Sequence, residues 1–338
     1  MKILYAIQGT GNGHVSRARE VIPALKRMAD VDVFLSGGNS SIEIGNDIKY
    51  FSKGVSFEYG KKGNLDYWKT VLKLQPGRVL KEVRDFPVEK YDLIINDFEF
   101  ISAYAAKLKN VPCISFSHQA SLLSNCTPRP NNRNVLGEFI LNHYAPTKYA
   151  VGLHFKQYDD FIFTPIIRKE IRQLNPIQLG HYTVYLPAVG TEELIKVLSQ
   201  IPDVRWEVFS RTNKFPYIEK NITIRPIQND RFIESLASCQ GLLCSAGFES
   251  PAEAMYLGKK LFVIPIAGQY EQQCNAEALR EMNIPVSSMQ HAELIPKLQK
   301  WINSSTVASI HYPDITHQII EQLLFDPRPF YVPGLIAG

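Results

Sequence analysis

Short apolar runs bounded by glycine, proline or asparagine recur along this chain, and between them apolar residues return at helical spacing. In the first half the runs Lys2–Gln8, Val31–Leu35, Tyr91–Asn96, Pro112–Phe116 and Tyr149–Leu153 predict strands. Helices are expected over Val15–Met28, Glu99–Lys109 and Val135–His143. The pattern restarts near Tyr182. A strand to Leu186 is followed by a turn at Pro187–Gly190, a helix over Thr191–Ser199, strands Val204–Phe209 and Ile222–Arg225, and a helix over Asp230–Ala237. Strand Gly241–Cys244, helix Glu249–Leu257 and strand Lys260–Pro265 come next, and a last helix is expected over Asp314–Phe325, before Asp326-Pro327-Arg328-Pro329. Strands alternating with helices predict parallel, doubly wound α/β sheets.

At 338 residues the chain exceeds one ordinary core, which argues for two domains. The same architecture repeats without sequence repetition, and the proline-marked stretch Phe163–Arg168 is the expected hinge. The expected boundaries are 1–163, 164–313, and a terminal helix and tail over 314–338. Composition is that of a folded globular protein, with 45% hydrophobic and 21% charged residues. The opening run Ile3–Ile7 is too short for a signal peptide, and no stretch approaches the roughly 20 apolar residues of a membrane span. Five cysteines at spacings that fit no zinc or redox pattern read as buried thiols of a reducing cytosol. A net charge of +4 does not imply a nucleic-acid partner.

The most informative stretch is Cys244–Ala276. Ser245-Ala246-Gly247 forms a small-residue turn into a helix, and Pro251 falls in the first turn, where its missing N–H costs nothing. Such a helix start offers unpaired backbone donors and the positive end of the dipole, which suits a phosphate. Glu253 lies about one turn further on, where a carboxylate can accept two ribose hydroxyls. Gln269, Glu271, Gln272, Gln273 and Asn275 then gather beyond the C-terminal end of a strand, the place where open α/β sheets bind ligands. The plainer reading is a capped helix followed by a solvated polar loop. The turn alone does not separate the two; the polar cluster favours a ligand.

These residues resemble the nucleotide-sugar signature of inverting GT-B glycosyltransferases, particularly the MurG-type, family 28-like UDP-sugar transferases. Ser245 to Glu253 match the turn and helix start, and Gln272-Gln273 with Asn275-Ala276 match the Gln-Gln and Asn-Ala positions. The resemblance implies two Rossmann-like doubly wound domains facing each other across a cleft, with donor on the second and acceptor on the first. It implies metal-independent hexosyl or N-acetylhexosaminyl transfer to a hydroxyl, with a nucleotide diphospho-sugar as substrate, a UDP-sugar by the same likeness, and no cofactor. Gly247, Phe248, Glu249 and Ser250 would then lie beside the diphosphate, Glu253 on ribose, Glu271, Gln272 and Gln273 on the sugar, and Ile227 against the nucleobase. The terminal segment would cross back onto the first domain. Two departures are visible. Pro187–Thr191 keeps one glycine where those enzymes have Gly-Gly-Ser, and the acidic residue usual before the first Gln is present only as Glu271.

In the first half, Gly9–His14 follows a strand and opens a helix. A dinucleotide site is the common alternative, but the loop lacks the full G-x-G-x-x-G order and no acid ends the strand at Leu35–Gly38. By itself His14 reads as a turn or capping residue. The run Gly11-Asn12-Gly13-His14 resembles the Gly-Gly-His loop that meets the acceptor in GT-B enzymes, which implies His14 as general base. Asp97 is either a plain helix cap or the group that orients an imidazole. His118-Gln119 resembles the Glu-Gln position that touches acceptor, which makes His118 the second candidate base. Arg168 is either a neutralising group for the leaving diphosphate or a solvated linker arginine.

No Asp-x-Asp appears in the candidate crevice, so no metal is expected there. The segment Lys53–Arg84 interleaves lysine and arginine with Tyr59, Tyr67, Trp68, Leu72 and Leu74. It reads as an amphipathic helix packed on its own domain, or as a surface for anionic lipid that would bring a lipid-linked acceptor to His14. The expected location is the cytosol, with peripheral contact at the inner membrane face as the open addition. Two rival functions share the signature: a nucleotide-sugar 2-epimerase, and a catalytically silent nucleotide-sugar-binding subunit of a larger partner.

Overall fold

The computed structural model describes residues 1–10, 12–37, 48–55 and 75–325. The first sheet contains β1 (Lys2–Gln8), β2 (Asp30–Ser36), β3 (Ile48–Ser52), β4 (Leu93–Asp97), β5 (Cys113–Ser117), β6 (Tyr149–Leu153) and β7 (Ile162–Phe163), in the order β3-β2-β1-β4-β5-β6-β7. All its pairings are parallel. The second contains β8 (His181–Tyr185), β9 (Arg205–Ser210), β10 (Tyr217–Glu219), β11 (Ile222–Pro226), β12 (Gly241–Cys244) and β13 (Lys260–Val263), in the order β10-β11-β9-β8-β12-β13. Only the edge pair β10–β11 is antiparallel. β4, β5 and β12 are buried along their whole length, as expected of strands covered on both faces.

Among the described residues five helices accompany the first sheet: α1 (Asn12–Lys26), α2 (Pro76–Asp85), α3 (Phe100–Lys109), α4 (His118–Ser121) and α5 (Val135–His143). α6 (Lys169–Arg172) lies in the connection, and α7 (Thr191–Leu198), α8 (Asn229–Ser238), α9 (Glu249–Tyr256), α10 (Tyr270–Glu281), α11 (His291–Asn303) and α12 (Thr316–Phe325) complete the described chain. α12 packs on α1, placing Ile319, Ile320, Leu323 and Leu324 in one apolar cluster with Ala18, Val21, Ile22 and Leu25.

Strand order reverses once in each sheet, between β1 and β4 and between β8 and β12. Loops leaving the strands on either side of a reversal part to opposite faces and leave a crevice at the strands' carboxyl ends. Residues 9, 10, 12–14 and 97–99 sit at the first crevice, residues 186–190 and 245–248 at the second. A cleft of about 1490 Å³ lies between them, lined from both halves.

The two doubly wound sheets are those the sequence predicts; the differences are local. α1 starts at Asn12 and not Val15, so the glycine-loop residues Asn12, Gly13 and His14 form its first turn. The stretch read as a polar loop after β13 is the start of α10, which contains no proline or glycine and buries Ala276, Ala278 and Leu279 on one face. α11, which the sequence pattern left out because of Pro296, keeps its buried Leu294, Leu298 and Trp301 at helical spacing. Of the basic segment, residues 56–74 lie outside the described residues, as do Asp326–Pro329; α2 buries Val79, and its Arg78 donates to the Gly54 carbonyl. Cys126 is exposed between α4 and α5, contrary to the expectation of uniformly buried thiols; the other four cysteines are buried.

Lys259 fixes the connection between the halves. Although the residue is 2% exposed, its ammonium donates to the carbonyls of Ile177, Ala237 and Cys239 at 2.6, 2.7 and 2.9 Å. Burial lowers its basicity, and the three acceptors replace the water it has lost. Lys259→Met takes the ammonium from the Ile177 and Cys239 carbonyls, while Ala237 keeps the Ile177 N–H, at about 1–3 kcal/mol for a buried group left unsatisfied. The expected outcome is a clearly lower urea midpoint; an unchanged midpoint would show that the clamp contributes nothing to the fold.

Candidate active site

His14 enters the cleft from the first turn of α1, and Asp97 ends β4 beside it. His14 Nδ1 lies 2.7 Å from Asp97 Oδ1. Arg17, one turn along α1, donates through Nη2 to both Asp97 oxygens at 2.7 and 2.8 Å. Asp97 is 0% exposed. Burial alone would raise its pKa, but the charge of Arg17 and the bonds from His14 outweigh it and hold the carboxyl below its ordinary range. With Asp97 ionised, Nδ1 carries the proton and Nε2 keeps its lone pair. The next residue, Phe98, has φ of 54°, a left-handed conformation that is costly for an aromatic residue and is found where the surrounding structure enforces it.

Asp97 is thus not the helix cap. That role falls to Glu99, whose carboxylate accepts from the N–H groups of Ile101 and Ser102.

His118 and Gln119 follow β5 as expected, but the two behave differently. His118 is 2% exposed, its ring stacks on Phe248 at 4.1 Å, and its nitrogens lie 2.7 Å from the Leu153 carbonyl and 2.7 Å from Asn275 Oδ1. Burial lowers its basicity as well. Neither nitrogen is left for an acceptor hydroxyl, which corrects the expectation of a second base: His118 joins the two halves. Gln119 donates to Glu271 Oε2 at 2.9 Å across the cleft, and its Nε2 lies 3.4 Å from His14 Nε2.

On the opposite wall, α9 starts with no side-chain cap at Phe248. A β-carbon on Gly247 would meet no atom within 4 Å, so the backbone there is open to a ligand. Ile227, Gly247, Phe248, Glu249, Ser250, Glu253, Glu271 and Gln272 all line the cleft with Asn12, Gly13 and His14; Gln273 does not, being rotated away along α10. Gly11 lies outside the described residues. Gln272 is partly committed, since Oε1 accepts from the Ile266 N–H at 3.0 Å. Glu253 is held by Arg168 through two bonds of 2.5 and 2.9 Å, and Arg168 is 6% exposed. Arg168 is therefore not a solvated linker residue; it ties the connection to the helix of Glu253.

A family model described as glycosyl transferase family 1 matches residues 1–300. The chain belongs to glycosyl transferase family 1. No curated protein sequence matches it. Among solved structures this glycosyltransferase is similar to MurG of Acinetobacter baumannii, at 14% identity over 96% of this chain and 99% of that one, with a TM-score of 0.59. It is similar to SsfS6 of Streptomyces sp. SF2575, at 12% identity over 98% of each chain and a TM-score of 0.58. SsfS6 is also known in complex with thymidine diphosphate. These likenesses show the GT-B fold.

The sequence reading did not single out Arg17 or foresee the pairing of Glu249 with it. Arg17 Nη1 reaches Glu249 Oε1 at 2.5 Å, joining α1 to α9. Its position one turn after His14 was the available signal, masked by an ordinary amphipathic pattern. Burial lifts Glu249 from 4.5 to about 7, with Arg17 opposing and Glu253 and Asp97 adding to the rise. Since the folded state binds this proton more tightly, the group's stabilising contribution is complete below the unfolded value and is lost as pH rises through the folded one. Glu249→Gln does not titrate, so its melting temperature relative to the unsubstituted protein should climb between about pH 5 and about pH 8. A constant difference over that range would show an ordinary, ionised carboxylate.

Proposed function

We propose that this glycosyltransferase moves a sugar from a nucleoside diphospho-sugar to a hydroxyl acceptor with inversion, and that His14 is the base. The His14–Asp97 pair carries this reading, because it presents Nε2, met only by the long 3.4 Å contact from Gln119, to a cleft whose far wall is an uncapped helix start. In the proposed step Nε2 takes the acceptor's hydroxyl proton as that oxygen bonds to the anomeric carbon, and the bond from that carbon to the diphosphate oxygen breaks on the opposite side. A single displacement from the face opposite the leaving group inverts the centre. Asp97 fixes the ring's tautomer and stabilises the imidazolium that forms.

The donor's diphosphate is assigned to the start of α9 at Gly247–Ser250, its base to Ile227 and its ribose to Glu253. Arg168 takes two of the roughly four acceptor positions of that carboxylate, and the others remain for ribose hydroxyls. The resemblance of Ser245–Ala276 to the UDP-sugar signature favours UDP; the SsfS6 complex makes thymidine diphosphate the alternative arm of a thermal-shift panel. The domain limits 1–163, 164–313 and 314–338 belong to the same reading.

A recess of about 130 Å³ opens beside His14, walled by Phe98, Ile140, Leu141, Tyr144 and Tyr270. Gln8 Oε1 and Gln119 Oε1 are buried beside it without partners. An acceptor with a compact ring, one apolar face and hydroxyls to donate would satisfy both oxygens. Val135, Leu136 and Phe139 are exposed on the outer side of α5, which supports a lipid-linked acceptor and peripheral membrane contact. Among the described residues no helix is long and apolar enough to cross a membrane.

His14→Ala should lower kcat by roughly 10²–10⁴ while nucleoside diphosphate still binds, and should remove the acidic limb of the kcat/KM profile. Near-normal kcat with an intact limb would return His14 to a turn residue. Transfer should also persist in EDTA, since the leaving charge is assigned to backbone donors and side chains of the cleft. Loss of turnover that magnesium or manganese restores would sink the metal-free account.

A further inference from the structure

Among the described residues, Arg17 is the one guanidinium that touches both walls of the cleft beside His14. Nη2 holds both oxygens of Asp97, Nη1 holds Glu249, and Nε is buried with no partner. The residue is 2% exposed, so one positive charge is shared, largely out of water, between two carboxylates. Glu249 is the first residue of α9 and lies among uncapped N–H groups at the positive end of the helix dipole. Its carboxylate therefore stands where an anionic ligand would be held, already bonded to a cation from the opposite wall. Gly13 completes the contact: a β-carbon there would come within 3.3 Å of Glu249 Cγ.

We infer that Glu249 is a built-in stand-in for the donor's diphosphate, and that Arg17 exchanges Glu249 for the diphosphate when donor binds. This rests on the reading that the diphosphate lies at the start of α9. Two anions at that place repel each other, and the diphosphate is the more strongly charged, so it displaces the carboxylate from Nη1 while Nη2 stays on Asp97. Nε, unpartnered without donor, gains an acceptor in the exchange. The leaving group is then neutralised from the acceptor half, by the same side chain that orients the base dyad.

The inference makes Glu249 a competitor of the donor, not one of its ligands, and the two roles give opposite results. The test is calorimetric titration of the full chain, at a pH well above 7 where the Glu249 carboxyl is ionised, with UDP and with thymidine diphosphate. Glu249→Gln, which keeps shape and removes charge, should tighten the preferred diphosphate by about tenfold. Arg17→Lys, which keeps the charge beside Asp97 and loses the fork, should weaken it by a similar factor. In the double variant the gain from Glu249→Gln should largely vanish, because no fork remains to be released. Weaker binding by Glu249→Gln, at an unchanged melting temperature, would make Glu249 a direct donor contact and overturn the inference. Unchanged affinity would overturn it too, while leaving the donor site standing. If the unsubstituted protein binds neither diphosphate, the donor assignment itself fails and this inference falls with it.

Discussion

A carboxylate sealed from water at the end of a central strand sets the terms for this molecule. Asp97 has no exposure, and an unpaired charge there would cost several kcal/mol. Its needs are met by Arg17 and His14 from a single turn of α1, so that helix must start within the glycine loop and run past the end of β4. Phe98 accepts a left-handed backbone so that the chain can leave the strand behind Asp97. Arg17 in turn is buried and reaches Glu249 on the other wall. One desolvated charge thus fixes a loop, a helix start and the meeting of the two halves.

That meeting is made by polar contacts at the cleft and by close packing beside it. Tyr270 donates to Glu138 at 2.6 Å, and a β-carbon on Gly137 would come within 2.5 Å of the Tyr270 ring, so α5 and α10 approach closely only because residue 137 is glycine. His118 stacks on Phe248 and bonds Asn275, while Gln119 meets Glu271. Each of these pairs draws one partner from either half. Such contacts are sensitive to displacement, and a shift of about 1 Å in a site of this kind costs as much as 10²-fold in rate.

Architecture was legible because parallel sheets write themselves as apolar runs separated by helical spacing, and both sheets announce their crevices through the turns at Gly9–His14 and Ser245–Gly247. The family was legible in Ser245–Ala276 for the same local reason. What sequence spacing could not convey was which polar side chains are already spoken for. Glu253 and Arg168 are far apart in the chain and were read independently, yet they form one buried pair. His118 looked like a base by position; only its two bonded nitrogens assign it elsewhere. Arg17 was hidden in a helix whose apolar face gave no hint that a charge would be buried beside it. Edge strands β3 and β10 were missed because exposed residues interrupt their apolar pattern, and α11 because of an internal proline.

The seating of α12 against α1 has a consequence for how the chain is made. The apolar stripe of Ala18, Val21, Ile22 and Leu25 is covered by residues of α12, which leave the ribosome only after both sheets have been made. The first sheet can form during synthesis, but one helix beside it stays uncovered until α12 arrives. A nascent chain in that condition is a client for chaperones, and a chain cut before α12 would leave the half built on the first sheet, not the half built on the second, prone to aggregate.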